Sequence, residues 1–258
     1  MPTMTGAEER RRLSLDTAHI TIRADGDGGA RRFGGYAAVF NSRTAIGNPL
    51  RWGFYEEIAP GSFGKTLSEG DARMLVDHDS YYVVSRVSAG TLGLAEDGHG
   101  LAVDSALDTR LSYVQDLAVN VENRNITGMS FGFYVIKDDW TTEEIEVAGA
   151  DPVEVDVRTI REVRLIEVSA VTFPAYTDTE AELKAVARAL DHRGDAAAIE
   201  ARAKYRPELL TLTHVDREPE QSTRVVQTTA EPAVSTQPAG LPLDARMRAL
   251  AARYGLPR

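Results

Sequence analysis

The chain has no cysteine. Disulfide scaffolds, cysteine nucleophiles and thiolate metal sites are therefore excluded. Basic charge is also short, with 29 Lys and Arg against 39 Asp and Glu and a net charge of −10. That balance argues against nonspecific binding of DNA or RNA, which needs a basic surface. Lysine is confined to Lys65, Lys137, Lys184 and Lys204, an arginine bias read as genomic rather than functional. No apolar run approaches the length of a membrane span, so no membrane contact is expected. Met1–Arg12 is polar and lacks the apolar stretch of a secretory signal, which fits a cytoplasmic location. Phosphate-loop and dinucleotide fingerprints are missing, as is any His-Glu-x-x-His pair. No cofactor or metal is expected.

What is present suits a globular body, with 43% apolar and 26% charged residues. Residues 1–30 read as a loose start with one edge strand, broken by Asp25-Gly26-Asp27-Gly28-Gly29. A folded domain is expected over 31–206. Short strands are expected at Phe33–Phe40, Phe54–Ile58, Arg73–Asp77, Tyr82–Val87, Thr91–Ala95, Leu101–Leu107 and Met129–Ile136. Two more follow at Val153–Ile160 and Glu162–Val171, with Lys137–Glu144 as a polar hairpin or loop between. Leu111, Val114, Leu117, Ala118 and Val121 recur at spacings of three and four, which predicts a helix over Thr109–Asn123 capped by Asp108 or Thr109. Phe63–Glu69, Thr179–Leu190 and Ala196–Tyr205 read as further helices. Six of the 11 prolines lie from Pro207 onward, so 207–242 reads as a flexible linker and 243–258 as a short helical tail suited to docking. Many short strands without strand–helix alternation favour an α+β barrel or sandwich over a doubly wound sheet.

Three residues stand out chemically. His78 ends the strand Met74-Leu75-Val76 and lies between Asp77 and Asp79, which would favour and orient its imidazolium. A lone histidine is more often structural. Ser130 lies in Thr127-Gly128-Met129-Ser130-Phe131-Gly132-Phe133, where the glycines allow close backbone approach. A packed strand reads equally well there, and a serine is inert without a base. Glu167 interrupts the apolar strand Leu165-Ile166-Glu167-Val168-Ser169-Ala170. Buried, it needs a partner such as a histidine ring. Parity alone lets Glu167 and Ser169 share a solvent side. A metal site of Asp77, His78 and Asp79 remains an alternative, with no recognised ligand spacing. His19, His99, His192 and His214 are weaker candidates.

Five segments in order resemble the prohead maturation proteases of tailed bacteriophages, the HK97-type serine peptidases. They are Phe33-Gly34-Gly35-Tyr36-Ala37-Ala38-Val39-Phe40, Glu57-Ile58-Ala59-Pro60-Gly61-Ser62-Phe63, Leu75-Val76-Asp77-His78-Asp79, Gly128-Met129-Ser130-Phe131-Gly132-Phe133 and Glu167-Val168-Ser169-Ala170-Val171-Thr172-Phe173-Pro174-Ala175-Tyr176. The resemblance covers about Gly34 to Leu190. It implies a small, mostly antiparallel β-barrel with surrounding helices, similar to the herpesvirus assembly proteases. It also implies Ser130 as nucleophile, His78 as general base and Glu167 as third member, with Asp77 or Asp79 as competitors for that role. The implied partners are the major capsid protein with its scaffolding segment and further copies of the chain. The implied place of action is the assembling procapsid in the host cytoplasm, with self-cleavage. A non-catalytic assembly or scaffold protein is the rival reading.

Overall fold

A computed structural model describes residues 8–13, 15–25, 30–149, 151–172 and 179–215. All lie in residues 1–218, one of two units into which the chain divides. Residues 216–258, which hold most of the expected linker and the whole tail helix, lie outside the described set, as do Gly26–Gly29 and Phe173–Tyr176 of the motifs above.

Two sheets face a common core. The first has seven strands: β1 (Glu9–Leu13), β4 (Thr44–Ile46), β5 (Phe54–Ile58), β6 (Arg73–Val76), β7 (Asp79–Arg86), β10 (Gly128–Ile145) and β11 (Val153–Val171). Its main path runs β1-β10-β11-β5-β4, with β6 and β7 branching from β11. The second is β2 (Thr21–Asp25), β3 (Ala30–Val39), β9 (Gly100–Leu107) and β8 (Leu92–Glu96), antiparallel throughout. Phe33, Met74, Leu101, Met129, Phe131, Phe133 and Val168 fill the space between them. The helices are α1 (Leu15–Ala18), α2 (Gly64–Glu69), α3 (Ser112–Glu122), α4 (Thr179–Arg193), α5 (Ala196–Ala203) and α6 (Glu208–Val215). The three-and-four spacing of α3 buries Val114, Leu117, Ala118 and Val121 as expected for a helix with one apolar stripe. Its N-cap is Leu111, however, and Asp108 instead accepts from the Arg110 N–H at 3.1 Å. α4 to α6 close a second, smaller core around Trp52, Phe54, Val186, Leu190 and Leu209.

The class is α+β, but the expected barrel is absent: no sheet closes on itself. The first sheet ends at β1 and β4, and among the described residues no ladder joins those two edges. Side chains of β1 reach instead to the inner strand β5. Arg11 of β1 meets Glu56 of β5, and a cavity of about 720 Å³ lies beside them, lined by Arg11, Ala45, Glu56, Ile58 and Ala185 among others. A second difference is the length of β10. Of the two alternatives Lys137–Glu144 takes the hairpin and not the loop: it continues β10 antiparallel to Glu154–Glu162 of β11.

The gap between the edges holds an ionic cluster. Arg158, fully buried, reaches Asp138 at 2.7 Å, Glu9 at 3.2 Å and Glu56 at 3.1 Å. Arg11 pairs with Glu9 and Glu56. Burial pushes the Glu56 carboxyl up, but Arg11 and Arg158 outweigh it and hold it below the usual range. Burial likewise raises Asp138, and His192 with Arg158 brings it down to about 2. Arg158→Met removes the cation that three buried carboxylates share. It should cost about 3–5 kcal/mol, the range for breaking a buried pair. Thermal unfolding should then fall by roughly 6–20 °C. Arg161→Met, at an exposed pair with Asp139, should shift the midpoint by no more than about 4 °C.

Candidate active site

Three adjacent strands collect the three segments. β11 is central. On one side antiparallel β10 sets Ser130 opposite Ser169 and Gly132 opposite Glu167. On the other, parallel β6 sets Arg73 opposite Glu167 and Leu75 opposite Ser169. Directly paired residues share a face of the sheet. Ser130, Gly132, Glu167 and Ser169 therefore lie on one face, while Met129, Phe131, Val168 and Ala170 take the other and enter the core. Parity in the sequence allowed Glu167 and Ser169 a common side. That side is not solvent, since Glu167 is 5% exposed and Ser169 fully buried.

β6 stops at Val76, and Asp77-His78 makes a two-residue turn into β7, with Val76 paired to Asp79. Both turn residues have positive φ, +48° and +61°, the pattern of a type I′ hairpin turn. For residues other than glycine this costs about 1–2 kcal/mol each, so other contacts must hold it. They are present. Asp77 N–H donates to the Ala170 carbonyl at 3.0 Å. The Asp77 carboxylate accepts from the Thr172 N–H and hydroxyl, both at 2.9 Å. His78 N–H donates to Ser169 Oγ at 3.2 Å.

The turn delivers the imidazole to β11, where His78 Nδ1 lies 2.7 Å from Glu167 Oε1. Both side chains are nearly inaccessible. An ionised carboxylate only accepts, so Nδ1 carries a proton, and in the neutral ring Nε2 keeps the free lone pair. Ser169 Oγ donates to Glu167 Oε2 at 2.5 Å, so both carboxylate oxygens are engaged. Nε2 is buried without a hydrogen-bond partner among the described residues. Ser130 is fully buried, and its hydroxyl donates to the Arg11 carbonyl of β1 at 2.9 Å. The structure thus joins His78 to Glu167 and sets Ser130 across from Ser169 on the neighbouring strand. It does not form the expected bond between Ser130 and His78.

The competing acids go elsewhere. Asp77 holds Thr172, and Asp79 Oδ1 accepts from the Tyr81 N–H at 2.8 Å. With His78 directed to Glu167, the three residues of the metal alternative have three separate partners. Among the described residues no group of three His, Asp or Glu is placed to hold a metal ion. His19 and His99 pack with Tyr36 of β3 in the second sheet, and His192 pairs with Asp138.

Sequence reasoning missed the supporting residues. Ser169 was visible only as the parity mate of Glu167. Asp77 looked like a competitor for the ring and instead fixes the turn. Gly132 has a use that spacing cannot show. A Cβ built there would lie 2.6 Å from Glu167 Oε1 and 3.0 Å from Glu8 Oε1. Gly132→Ala must push the carboxylate off Nδ1, and displacement on the scale of 1 Å costs about 100-fold in rate. If this is an active site, the variant should fold and lose about that much kcat, read by steady-state kinetics beside a thermal melt.

Comparison with known proteins gives a family, a similar curated sequence and a similar solved structure. Residues 18–195 match the model of the caudovirus prohead serine protease family. Over 166 residues the chain is 31% identical to the prohead protease of Enterobacteria phage HK97, covering 63% of each protein. The chain thus spans somewhat less than two thirds of that relative's length. The solved capsid assembly protease of bacteriophage T4 is similar at 10% identity with a TM-score of 0.38, over 64% of this chain and 96% of that one.

Proposed function

The chain belongs to the caudovirus prohead serine protease family, and on that premise we propose that it is a serine endopeptidase using Ser130, His78 and Glu167. It cleaves the scaffolding segment from the major capsid protein inside the assembling procapsid, in the host cytoplasm, and cleaves itself. Residues 31–206 hold the catalytic residues, α6 completes the second core, and the segment beyond residue 215 docks the body to the capsid shell. Copies of the chain associate for this work. The observation that carries the reading is the buried 2.7 Å bond between His78 Nδ1 and Glu167, on the sheet face that also bears Ser130.

The chemistry follows from that pair. His78 Nε2 takes the Ser130 proton as Oγ attacks the scissile carbonyl carbon. Glu167 accepts from Nδ1–H, which fixes the tautomer and stabilises the imidazolium that forms. The tetrahedral intermediate collapses, the C–N bond breaks, and the imidazolium gives its proton to the departing amine. Water, deprotonated by the same Nε2, then adds to the acyl-enzyme and releases Ser130 and the carboxyl product.

Co-expression with the capsid protein of the same genome tests the reading. Wild type should shorten the capsid protein, and the Ser130→Ala chain should leave it at full length. Shortening by both would remove Ser130 from the role of nucleophile.

A further inference from the structure

We propose that the edge of β10 at Met129–Phe133 is the strand-binding site for the substrate peptide, and that β1 of the same chain occupies it and silences the nucleophile. This rests on the proposed protease reading and names how that site is filled and controlled.

Three observations carry it. First, β1 adds antiparallel to β10 across Met129–Phe133, with Arg12 opposite Ser130. An extended peptide laid along a sheet edge beside a nucleophile is how a backbone is presented for attack, with the ladder supplying affinity. Second, the Ser130 hydroxyl donates to the Arg11 carbonyl, while His78 Nε2 has no hydrogen-bond partner among the described residues. The proton that the base must take is committed to the strand. Third, β1 alternates over the site. Arg10 lies opposite Gly132, so Glu8, Arg10 and Arg12 share the face of Ser130 and Glu167. Glu8 Oε1 crowds the same glycine gap that admits the Glu167 carboxylate.

The strand is also built to leave as a unit. Among the described residues β1 pairs with β10 alone, and its residues line the 720 Å³ cavity. Arg188 of α4 donates to the Glu8 carbonyl at 3.2 Å and clasps one end. Glu9 and Arg11 anchor the other face through Arg158 and Glu56. Withdrawal removes one anion and one cation together. Arg158 keeps Glu56 and Asp138, and Asp138 keeps His192. A buried network that loses a neutral pair avoids the cost of stranding one charge. β1 also precedes residue 18, where the match to the family begins.

The test is the rate at which a fluorophosphonate modifies Ser130 in the full chain, followed by intact mass. Leu13→Pro removes a ladder donor on the β10-facing side of the strand, the side of the Arg11 carbonyl, since proline has no N–H. The double variant Glu9→Gln with Arg11→Gln weakens the anchors by a separate route and serves if the proline chain misfolds. If β1 is displaced for about 1–10% of the time in wild type, either change should speed modification about 10–100-fold. A peptide Glu-Glu-Arg-Arg-Arg-Leu, copying residues 8–13, should slow the variants again. Equal rates in wild type and in both folded variants overturn the occupancy of the site by β1 and leave the protease reading standing. Failure of every form to react at Ser130 overturns the serine reading itself, and this inference with it.

Discussion

Replacing Ser130 with alanine should lower the rate of capsid-protein cleavage by at least about 1,000-fold, the scale on which nucleophile loss is felt in serine hydrolases. The expectation comes from the division of labour at the site. In a chain without cysteine the acyl-enzyme falls to a hydroxyl, and among the described residues no other hydroxyl of β10 stands opposite Ser169. Ser169 shares the face, but its proton is held by Glu167 and its oxygen receives the His78 N–H. It is a strut between the two partners. Removing one oxygen from Ser130 also deletes the bond to the Arg11 carbonyl, so the variant should keep its fold and lose one neutral contact worth about 1 kcal/mol. His78→Ala should match the loss in rate, because nucleophile and base act as a unit and their effects do not add. A double variant no worse than either single one is the expected result, measured as capsid protein shortened per unit time. A Ser130→Ala chain of wild-type rate would return the search to another nucleophile.

The site was more legible than the architecture. His78, Ser130 and Glu167 each carried a local anomaly: a histidine at a strand end, a serine between glycines, a charge in an apolar run. What the chain could not display was their adjacency, because it depends on strand order. β11 pairs with β10 on one edge and β6 on the other, and that parallel pairing joins residues about ninety positions apart. The barrel expectation failed for a related reason. Alternation tells which residues face inward, but closure depends on whether two far edges find each other. Here the edges β1 and β4 form no ladder among the described residues, and Arg11 of β1 reaches Glu56 on the inner strand β5. The first thirty residues show the same limit. Glu9-Arg10-Arg11-Arg12-Leu13 looks too charged for a strand packed on a core. Its inward charges are matched by Glu56 and Arg158, which lie far away in sequence.

The second large effect is expected at Glu167, and the choice of substitution decides what is learned. Glu167→Gln conserves shape and should fold. Its amide can satisfy Ser169 with the oxygen and offer its NH2 to Nδ1, since the serine hydroxyl donates to that oxygen as it did to the carboxylate. That arrangement moves the ring proton to Nε2 and leaves the base pointing its lone pair at the wrong partner. A loss of about 1,000- to 10,000-fold in kcat follows from a wrong tautomer held in otherwise intact geometry. Glu167→Ala opens a space beside Gly132 in which water can accept from Nδ1–H. It should therefore retain more activity than the glutamine variant, although it removes more atoms and is the less stable protein. That inverted order, activity against stability, is what a purely structural carboxylate cannot produce. A glutamine chain cleaving at wild-type rate would reduce Glu167 to a prop for the His78 turn.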